Sequence, residues 1–246
     1  MADFEALRES FSDVEGDYAA WREKYTPDHR YHELFDLTTQ VAGHDDAVLD
    51  VGAAPFHFTF LLDDAGYDVT GIDLDPSRHA AYVDEHALTV HACDIETEPF
   101  PLADNSVSVV LFSEVLEHLR QNPLHAMEEI ERVLEPGGTL FLSTPNAHSI
   151  FDLYDYLLGG NVGPSPTSEY AELSERGHMG HVRHWATSEV RELLTTYGLT
   201  VVSVDYRNWH YVDDDASLKM TVAERATDLV PRLRRFQLVT ARNLFP

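Results

Sequence analysis

The sequence predicts an α/β fold in which a doubly wound, mostly parallel sheet carries its ligand along one rim. Short apolar runs alternate with helix-like segments through the middle of the chain, a pattern typical of a parallel sheet covered on both faces. Acidic residues end three of these runs, at Asp50, Asp73 and Asp94. Right-handed crossovers bring the C-terminal ends of parallel strands to one rim, where such folds bind ligands. The three acids are therefore expected at the ligand site.

The segment 47–65 gives the clearest strand–turn–helix signal. A short apolar run is followed by an acid and by Gly52, which permits a sharp turn or the close approach of a ligand. Asp73 lies 21 residues after Gly52, a spacing at which an acid commonly binds ribose hydroxyls. The glycine pattern that cradles a pyrophosphate is incomplete, because Ala54 and His57 occupy its later positions. The loop thus favours an adenosine ligand that has no pyrophosphate.

The remaining elements follow in a regular order. Alternation and apolar runs predict strands at 47–52, 68–74, 88–94, 107–113, 138–143, 199–206 and 235–241. Helical spacing and capping residues predict helices at 3–24, 28–40, 56–65, 77–86, 123–134, 149–158, 189–197 and 217–230. The stretch 159–184 is predicted as a long loop. Thr187 or Ser188 is the predicted N-cap of the helix that follows.

Charge and composition narrow the functional classes. The 246 residues include 43 acidic and 17 basic side chains, giving a net charge of −26 that is spread along the whole chain. Such a balance predicts a protein adapted to a high-salt cytoplasm, where a Debye length of about 3 Å at molar salt screens the repulsion. It disfavours nucleic acid as a partner, since phosphate binding needs a basic surface. A lone cysteine, Cys93, and the lack of any apolar run near 18 residues predict a soluble, cytoplasmic chain without disulfides or membrane insertion.

Four sequence blocks carry a family resemblance, and they occur in the family's order. The chain resembles the class I S-adenosylmethionine-dependent methyltransferases through VLDVG at 48–52, VTGID at 69–73, CD at 93–94 with VVLFSEVLEHL at 109–119, and LEPGGTL at 134–140. The resemblance implies a Rossmann-like, seven-stranded sheet with an antiparallel last strand. It also implies one methyltransferase domain, with a helical cover at 1–44, a cofactor-binding core at 45–145, a substrate-side insertion at 146–198 and a strand pair at 199–246.

The resemblance also implies a cofactor, S-adenosylmethionine, and residues that hold it. Asp50 and Gly52 would meet its amino-acid end, and Asp73 its ribose. Adenine would be held by Asp94 together with Ile95. The predicted cofactor set is completed by Ala54, Leu74, Ser113 and Glu114. In the resembled family, helices before the first strand often cover the cofactor, so Trp21, Tyr25, Tyr31 and His32 either face it or, as we favour, pack on the edge of the sheet. Phe56 stands where the family has a glycine and could crowd the cofactor if its ring points inward.

The EVLEH stretch at 114–118 supports two readings. On a helical turn, Glu114, Glu117 and His118 would share one face, and two carboxylates with an imidazole suit a divalent metal. His178, His181 or His184 could complete such a site, and a similar arrangement binds metal in the small-RNA 3′-end 2′-O-methyltransferases. The same stretch also occurs in relatives without metal. We expect no metal, with a metal-assisted RNA 2′-O-methyltransferase as the alternative, its ligands being Glu114, Glu117, His118 and His181.

Histidines are the predicted general bases for a hydroxyl acceptor, His118 first and His181 or His184 next. The segment 180–185 resembles a G-H-x-R-x-[FWY] block of relatives associated with surface polysaccharides or lipid-linked sugars, which implies that His181, Arg183 and Trp185 bind substrate. The expected reaction is O-methylation of a small-molecule, sugar or lipid-linked acceptor. Non-catalytic binding of the cofactor and NAD-dependent oxidoreduction stay open as alternatives, and the oligomeric state stays open as well.

Overall fold

The computed structural model describes residues 28–160, 165–176, 180–209 and 225–244. Its helices are α1 (Asp28–Val41), α2 (His57–Asp64), α3 (Ala80–Glu85), α4 (Pro123–Val133), α5 (Ile150–Leu157), α6 (Pro166–Arg176) and α7 (Thr187–Thr196). Its strands are β1 (Ala47–Val51), β2 (Asp68–Asp73), β3 (Val90–Ala92), β4 (Val107–Ser113), β5 (Leu134–Pro145), β6 (Leu199–Arg207) and β7 (Phe236–Asn243). The predicted helix at 3–24, with Trp21 and Tyr25, lies outside the described residues, as does most of the predicted helix at 217–230.

The strands form one seven-stranded sheet in the order β3-β2-β1-β4-β5-β7-β6. Strands β1 to β5 pair in parallel, whereas β7 runs antiparallel to both β5 and β6. The predicted fold class is therefore confirmed. β1 lies near the middle of the sheet, where Asp50 is opposite Gly71 of β2 and Leu111 of β4. This central position places the first acidic strand end at the reversal of strand order, where ligands bind in open α/β sheets.

Two apolar clusters cover the two faces of the sheet. Side chains alternate between faces along a strand, and β4 shows this directly. Val110 and Phe112 pack into one cluster with α4 and α7, whereas Val109 and Leu111 pack into the other with α1 and α2. Helices thus cover the central strands on each face, as a parallel sheet requires. None of the described helices combines the length and the apolarity that a bilayer crossing needs.

Several predicted boundaries differ from the structure, and each difference has a local cause. The predicted helix 77–86 divides into a 3-10 turn, Pro76–His79, and α3. β5 begins before the predicted strand 138–143, because its first residues pair with Val107 across a register shift. The predicted loop 159–184 contains α6, which Pro166 begins in the first helical position. Neither predicted N-cap of α7 is correct, because Ala186 is the cap and its N–H donates to the Glu189 carboxylate at 2.8 Å.

Candidate functional site

A cleft of about 350 Å³ opens at the C-terminal ends of β1 and β4. One wall comes from α1, through Arg30 and Tyr31, and another comes from the loop after β1. The turn after β4 forms the floor, and the segment that begins at Gly180 closes the far side. His32, which was predicted beside Tyr31, is exposed and is not part of this lining. The cleft thus lies at the rim where the strand-end acids were expected.

Asp50 presents a buried carboxylate to this cleft. Its side chain accepts a hydrogen bond from the Thr59 hydroxyl at 2.8 Å, and the residue is only 6% exposed. Burial raises the pKa of Asp50 to about 7, with a smaller contribution from the charge of Asp73, while the Thr59 hydrogen bond lowers it. A carboxylate whose ionised form is penalised by burial gains most when a cation binds beside it. This end of the cleft therefore suits a positively charged group.

The loop after β1 has its shape because of two residues in the left-handed backbone region. Gly52 has φ 68°, and a Cβ at this position would lie 2.5 Å from Cγ2 of Val115. Phe56 also has φ 68°, the conformation that a glycine adopts without strain. Its ring is fully buried in the core beside His79, at 5.9 Å between ring centroids, and does not line the cleft. The replacement of a family glycine by Phe56 thus leaves the cleft open.

Asp73 ties the ends of β1 and β2 together. Its carboxylate accepts hydrogen bonds from the backbone N–H of Ala54 at 3.1 Å and of Asp75 at 3.2 Å. Ala54 lines the cleft, whereas Asp73 and the exposed Leu74 lie beside it at the end of β2. Asp73 therefore orients the loop that forms one wall of the cleft.

Asp94 closes its own turn after β3. Its carboxylate accepts from the backbone N–H of Glu96 at 3.1 Å and from the Thr97 hydroxyl at 2.9 Å. Ile95 is buried in the core and, like Asp94, is not among the residues that line the cleft. The structure thus divides the predicted cofactor residues into two groups. Asp50, Gly52, Ala54, Ser113 and Glu114 line the cleft, whereas Asp73, Leu74, Asp94 and Ile95 are outside its lining, at or after the ends of β2 and β3.

Two glutamates form the floor of the cleft, and they do not share a helical turn as predicted. Glu114 has φ 58°, so the only regular turn is the 3-10 segment Leu116–His118. The Glu114 carboxylate accepts from the Ser143 hydroxyl at 2.8 Å, which in turn lies 2.8 Å from the hydroxyl of Ser113. Burial, and next the charge of Glu117, raise the pKa of Glu114 to about 8. Glu114 is therefore mostly protonated at neutral pH.

Glu117 is fully buried and only half satisfied. Its Oε2 accepts from the Thr144 hydroxyl at 2.9 Å, whereas its Oε1 has no hydrogen-bond partner among the described residues. Burial raises the pKa of Glu117 to about 7. A buried acceptor without a partner is costly, so this oxygen marks a place where a bound molecule or ion could donate.

Three histidines meet at the mouth of the cleft. The rings of His118 and His181 lie 4.9 Å apart between centroids, and those of His181 and His184 lie 5.5 Å apart. Nε2 of His181 is 3.9 Å from Oε1 of Glu117. Burial, followed by the neighbouring His118 and His184, lowers the pKa of His181 to about 3. His181 is therefore an uncharged imidazole at neutral pH.

Arg183 and Trp185 take a different position from His181. The Arg183 guanidinium stacks at 4.2 Å over the Trp185 ring and pairs with Glu189 on α7 at 2.5 Å. Trp185 packs on the core, and its carbonyl oxygen accepts from the Gln237 side chain at 2.7 Å. Of the three residues predicted to bind substrate, only His181 lines the cleft. The other two hold the segment that carries it.

Comparison with known proteins gives the family. Residues 19–204 match the model of a family described as a methyltransferase domain. The chain belongs to this methyltransferase domain family. An uncharacterised methyltransferase of Mycolicibacterium gilvum is 37% identical over 112 residues, which are 45% of this chain and 44% of the relative. The chain thus matches less than half the length of this curated relative.

Solved structures of other methyltransferases share the fold. The methyltransferase in a complex with the Trm112 methyltransferase activator from Haloferax volcanii has a TM-score of 0.62 and 20% identity, with 95% of this chain and all of that chain covered. A SAM-dependent methyltransferase of Archaeoglobus fulgidus has a TM-score of 0.62 and 16% identity, with 92% of this chain and all of that chain covered. These likenesses concern the fold of the methyltransferase domain.

The cofactor of this methyltransferase domain is S-adenosylmethionine, and the cleft fits it. This molecule carries an ammonium, a sulfonium and a carboxylate. The buried carboxylate of Asp50 suits one of the cations, and the guanidinium of Arg30 in the same cleft suits the carboxylate. The cleft therefore offers a carboxylate for a cation of the cofactor and a guanidinium for its carboxylate, so the residues present are compatible with binding.

Several residues of the site could not be found from the sequence. Arg30, Thr59 and Glu169 belong to the cleft or contact its acids, and they come from three different helices. Thr59 is nine residues from Asp50 and contacts it only because the chain turns sharply at Gly52. Glu169 lies in α6, within the predicted loop. Of these three residues, only Thr59 carries a signal in the sequence, because it is a polar residue on the predicted helix that follows the acidic end of the first strand.

Proposed function

We propose that this chain is an active S-adenosylmethionine-dependent methyltransferase that methylates an oxygen atom of a small-molecule, sugar or lipid-linked acceptor. The observation that carries the proposal is the pairing, in one cleft, of a buried carboxylate for a cation, Asp50, with an uncharged imidazole, His181. When bound, the cofactor supplies a methyl group on a sulfonium. Because the curated relative extends well beyond the matched segment, the acceptor is part of the proposal.

The cofactor side of the proposal assigns a role to each acid. Asp50 binds the ammonium of the cofactor, and Arg30 binds its carboxylate. Asp73 accepts from the ribose hydroxyls, for which its carboxylate would exchange one of its present backbone hydrogen bonds. Asp94 and Ile95 hold the adenine beside Leu74. Ser113 and Glu114 form the floor below the reacting methyl group, and the protonated state of Glu114 favours donation of a hydrogen bond there.

On the acceptor side, His181 is our preferred base, ahead of His118. Its Nε2 lies 3.9 Å from the unpartnered Oε1 of Glu117, so either atom can accept the one hydrogen bond of a hydroxyl that enters between them. The low pKa of His181 keeps this imidazole unprotonated, which a base must be before it takes a proton. Positioning the oxygen in line with the methyl group supplies most of the remaining rate enhancement. Arg183 and Trp185 would contribute by holding this segment at the edge of the acceptor site.

The direct test is transfer of labelled methyl groups to a panel of phenols, hydroxy acids, glycosides and lipid-linked sugars in high KCl. We expect at least one hydroxyl compound to be methylated, and we expect His181→Gln to lower kcat by about 10²-fold. His91→Gln is the matched control, because His91 is exposed on β3, away from the cleft. Cofactor binding without turnover of any acceptor would contradict the proposal, as would equal activity in the two variants.

One observation favours a second candidate, a metal-assisted RNA 2′-O-methyltransferase. Ligand atoms of Glu117, His118 and His181 all lie within 4.8 Å of one another, a set that suits a divalent transition metal. Loss of activity with a chelator, restored by Mn²⁺ or Zn²⁺, together with methylation of a short single-stranded RNA, would favour this candidate. Full activity in the chelator would eliminate it. The net charge of −26 argues against RNA and keeps this function second.

We further propose that the chain works in the cytoplasm of a cell with high internal salt. The support is the net charge of −26, which in dilute buffer opposes the compact state through self-repulsion. Concentrated salt screens that repulsion, so both stability and activity should increase with KCl concentration. Maximal activity at low ionic strength would count against this environment.

A further inference from the structure

A chain of polar side chains runs from α5 to the mouth of the cleft. The Ser149 hydroxyl lies 2.9 Å from Oδ2 of Asp152, and the same carboxylate oxygen lies 2.9 Å from Nδ1 of His184. Nε2 of His184 lies 3.4 Å from Nδ1 of His181. Asp152 and His184 are both largely buried, with side chains 14% and 17% exposed. The chain therefore links the proposed base to a carboxylate that does not itself line the cleft.

The rules for hydrogen-bond donors and acceptors fix which atom donates at each step of this series of side chains. An ionised Asp152 only accepts hydrogen bonds, so Nδ1 of His184 must carry a proton. In a neutral His184, Nε2 is then an acceptor, so Nδ1 of His181 must carry the next proton. Neutral His181 consequently has its lone pair on Nε2, the atom 3.9 Å from the Glu117 carboxylate. The partner of one ring nitrogen thus decides what the other nitrogen can do.

The region that faces this lone pair has room for a donor that the described residues do not supply. Oε1 of Glu117 is buried without a hydrogen-bond partner among them, and a separation of 3.9 Å is too long for a direct hydrogen bond to His181. Two acceptors that face each other across a cleft suit a molecule that brings a proton. A hydroxyl group has the required chemistry.

We propose that Asp152 and His184 are positioning residues that hold His181 with its Nε2 lone pair toward the acceptor hydroxyl and then take over the proton it receives. This inference rests on the proposed function. As the acceptor oxygen forms its bond to the methyl carbon and the carbon–sulfur bond breaks, the hydroxyl proton passes to Nε2 of His181. The proton on Nδ1 of His181 passes to Nε2 of His184. His184 becomes a cation beside the Asp152 carboxylate, and the positive charge that the sulfonium loses is now on His184.

This relay explains how a histidine in a desolvated position can act as a base. Burial and two neighbouring histidines disfavour a charge on His181. A carboxylate oxygen lies 2.9 Å from Nδ1 of His184, whereas Oε1 of Glu117 is 3.9 Å from Nε2 of His181, so the geometry gives His184 the closer ionic partner. His181 then needs to carry an extra proton only in passing. The catalytic residue is His181, whereas His184 and Asp152 act through it.

Nitrogen-15 NMR of the histidine rings in the wild-type protein tests the positioning directly. We expect His181, identified by the signal that His181→Gln removes, in the Nδ1–H form with an unprotonated Nε2. Asp152→Asn should reverse this form, because an asparagine amide can donate to Nδ1 of His184 and so moves each proton along the chain. Asp155→Asn, an exposed position on the same helix, is the control and should change nothing. His181 in the Nε2–H form in the wild type would overturn the inference whether or not an acceptor is found.

Kinetics with the acceptor identified by the panel test the second half of the inference. Asp152→Asn and His184→Gln should each lower kcat by about 10²-fold, with KM and cofactor affinity changed by less than about twofold. His148→Gln is the matched control for His184→Gln, because His148 is exposed just before α5, the helix that carries Asp152. A rise in KM without a fall in kcat would assign these residues to binding alone and would overturn the relay.

Discussion

Replacing Asp50 with asparagine should separate the contribution of this carboxylate to cofactor binding from its cost to the stability of the fold. Asp50→Asn keeps the shape of the side chain and an oxygen that can accept from Thr59, but it removes the buried charge. The pKa of Asp50 is raised from 3.8 to about 7 by burial. Each pKa unit corresponds to about 1.4 kcal/mol, so ionising this carboxyl in the folded protein costs at most about 4 kcal/mol. The variant should therefore be more stable than the wild type at alkaline pH.

The sign of the pH dependence follows from proton binding. Between the unfolded pKa of 3.8 and the folded pKa of about 7, the folded wild type holds a proton that the unfolded chain has lost, so wild-type stability falls as pH rises through this range. The stability advantage of the variant should consequently be about 2 kcal/mol larger at about pH 8 than at about pH 5.5.

Urea unfolding in constant high KCl measures the stability advantage of Asp50→Asn at both pH values, and calorimetry should show that the variant has lost affinity for S-adenosylmethionine. Asp84→Asn, an exposed control on α3, removes the same formal charge. An Asp50→Asn advantage that is independent of pH, or a less stable variant at about pH 8, would refute the reasoning.

Three further predictions concern the walls of the cleft and the surface charge. Phe56→Ala should lower the free energy of unfolding by about 3–5 kcal/mol with little change in cofactor affinity, because its ring is buried outside the cleft. Phe58→Ala should weaken cofactor binding, because Phe58 lines the cleft. Equal effects of the two substitutions on affinity would contradict the placement of Phe56. Gly52→Ala should destabilise the fold, because the new Cβ would lie 2.5 Å from the Val115 side chain. Adding Val115→Ala should recover part of the lost stability in a thermal melt. No recovery would mean that backbone strain at φ 68° causes most of the destabilisation. The free energy of unfolding should rise steadily between about 0.1 and 2 M KCl, because a Debye length of about 3 Å at molar salt screens the repulsion between the acidic side chains. A urea midpoint that stays flat or falls with KCl would contradict the high-salt proposal.

The fold and the rim that carries the site could be predicted because they depend on local patterns. Strand-end acids recur after apolar runs, and a parallel sheet brings them to one rim whatever the details of the loops. This is why Asp50 and the Ser113–Glu114 turn were placed together correctly. The antiparallel end of the sheet followed from the family resemblance, and the pairing of β7 with β5 and β6 confirms it.

Backbone conformations and long-range contacts could not be predicted. The left-handed conformation of Glu114 ends the expected helical turn, and sequence spacing alone does not contain that information. The hydrogen bonds that Asp94 accepts within its own turn do not follow from its position at a predicted strand end. The contact of His184 with Asp152 joins residues 32 apart, through a segment that the sequence predicted to be a loop. Such contacts depend on the packing of α5 and the segment after Gly180, and no local pattern encodes them.

The most direct test of the central claim is a calorimetric titration of the wild-type protein and Asp73→Ala with S-adenosylmethionine in about 2 M KCl. We predict micromolar binding by the wild type and a loss of tenfold or more in the variant, about 1.4 kcal/mol or above, because Asp73 holds the Ala54 wall and is our proposed partner of the ribose. A wild-type protein that is folded by circular dichroism and yet binds no S-adenosylmethionine would contradict the claim that this acidic cleft is a cofactor site.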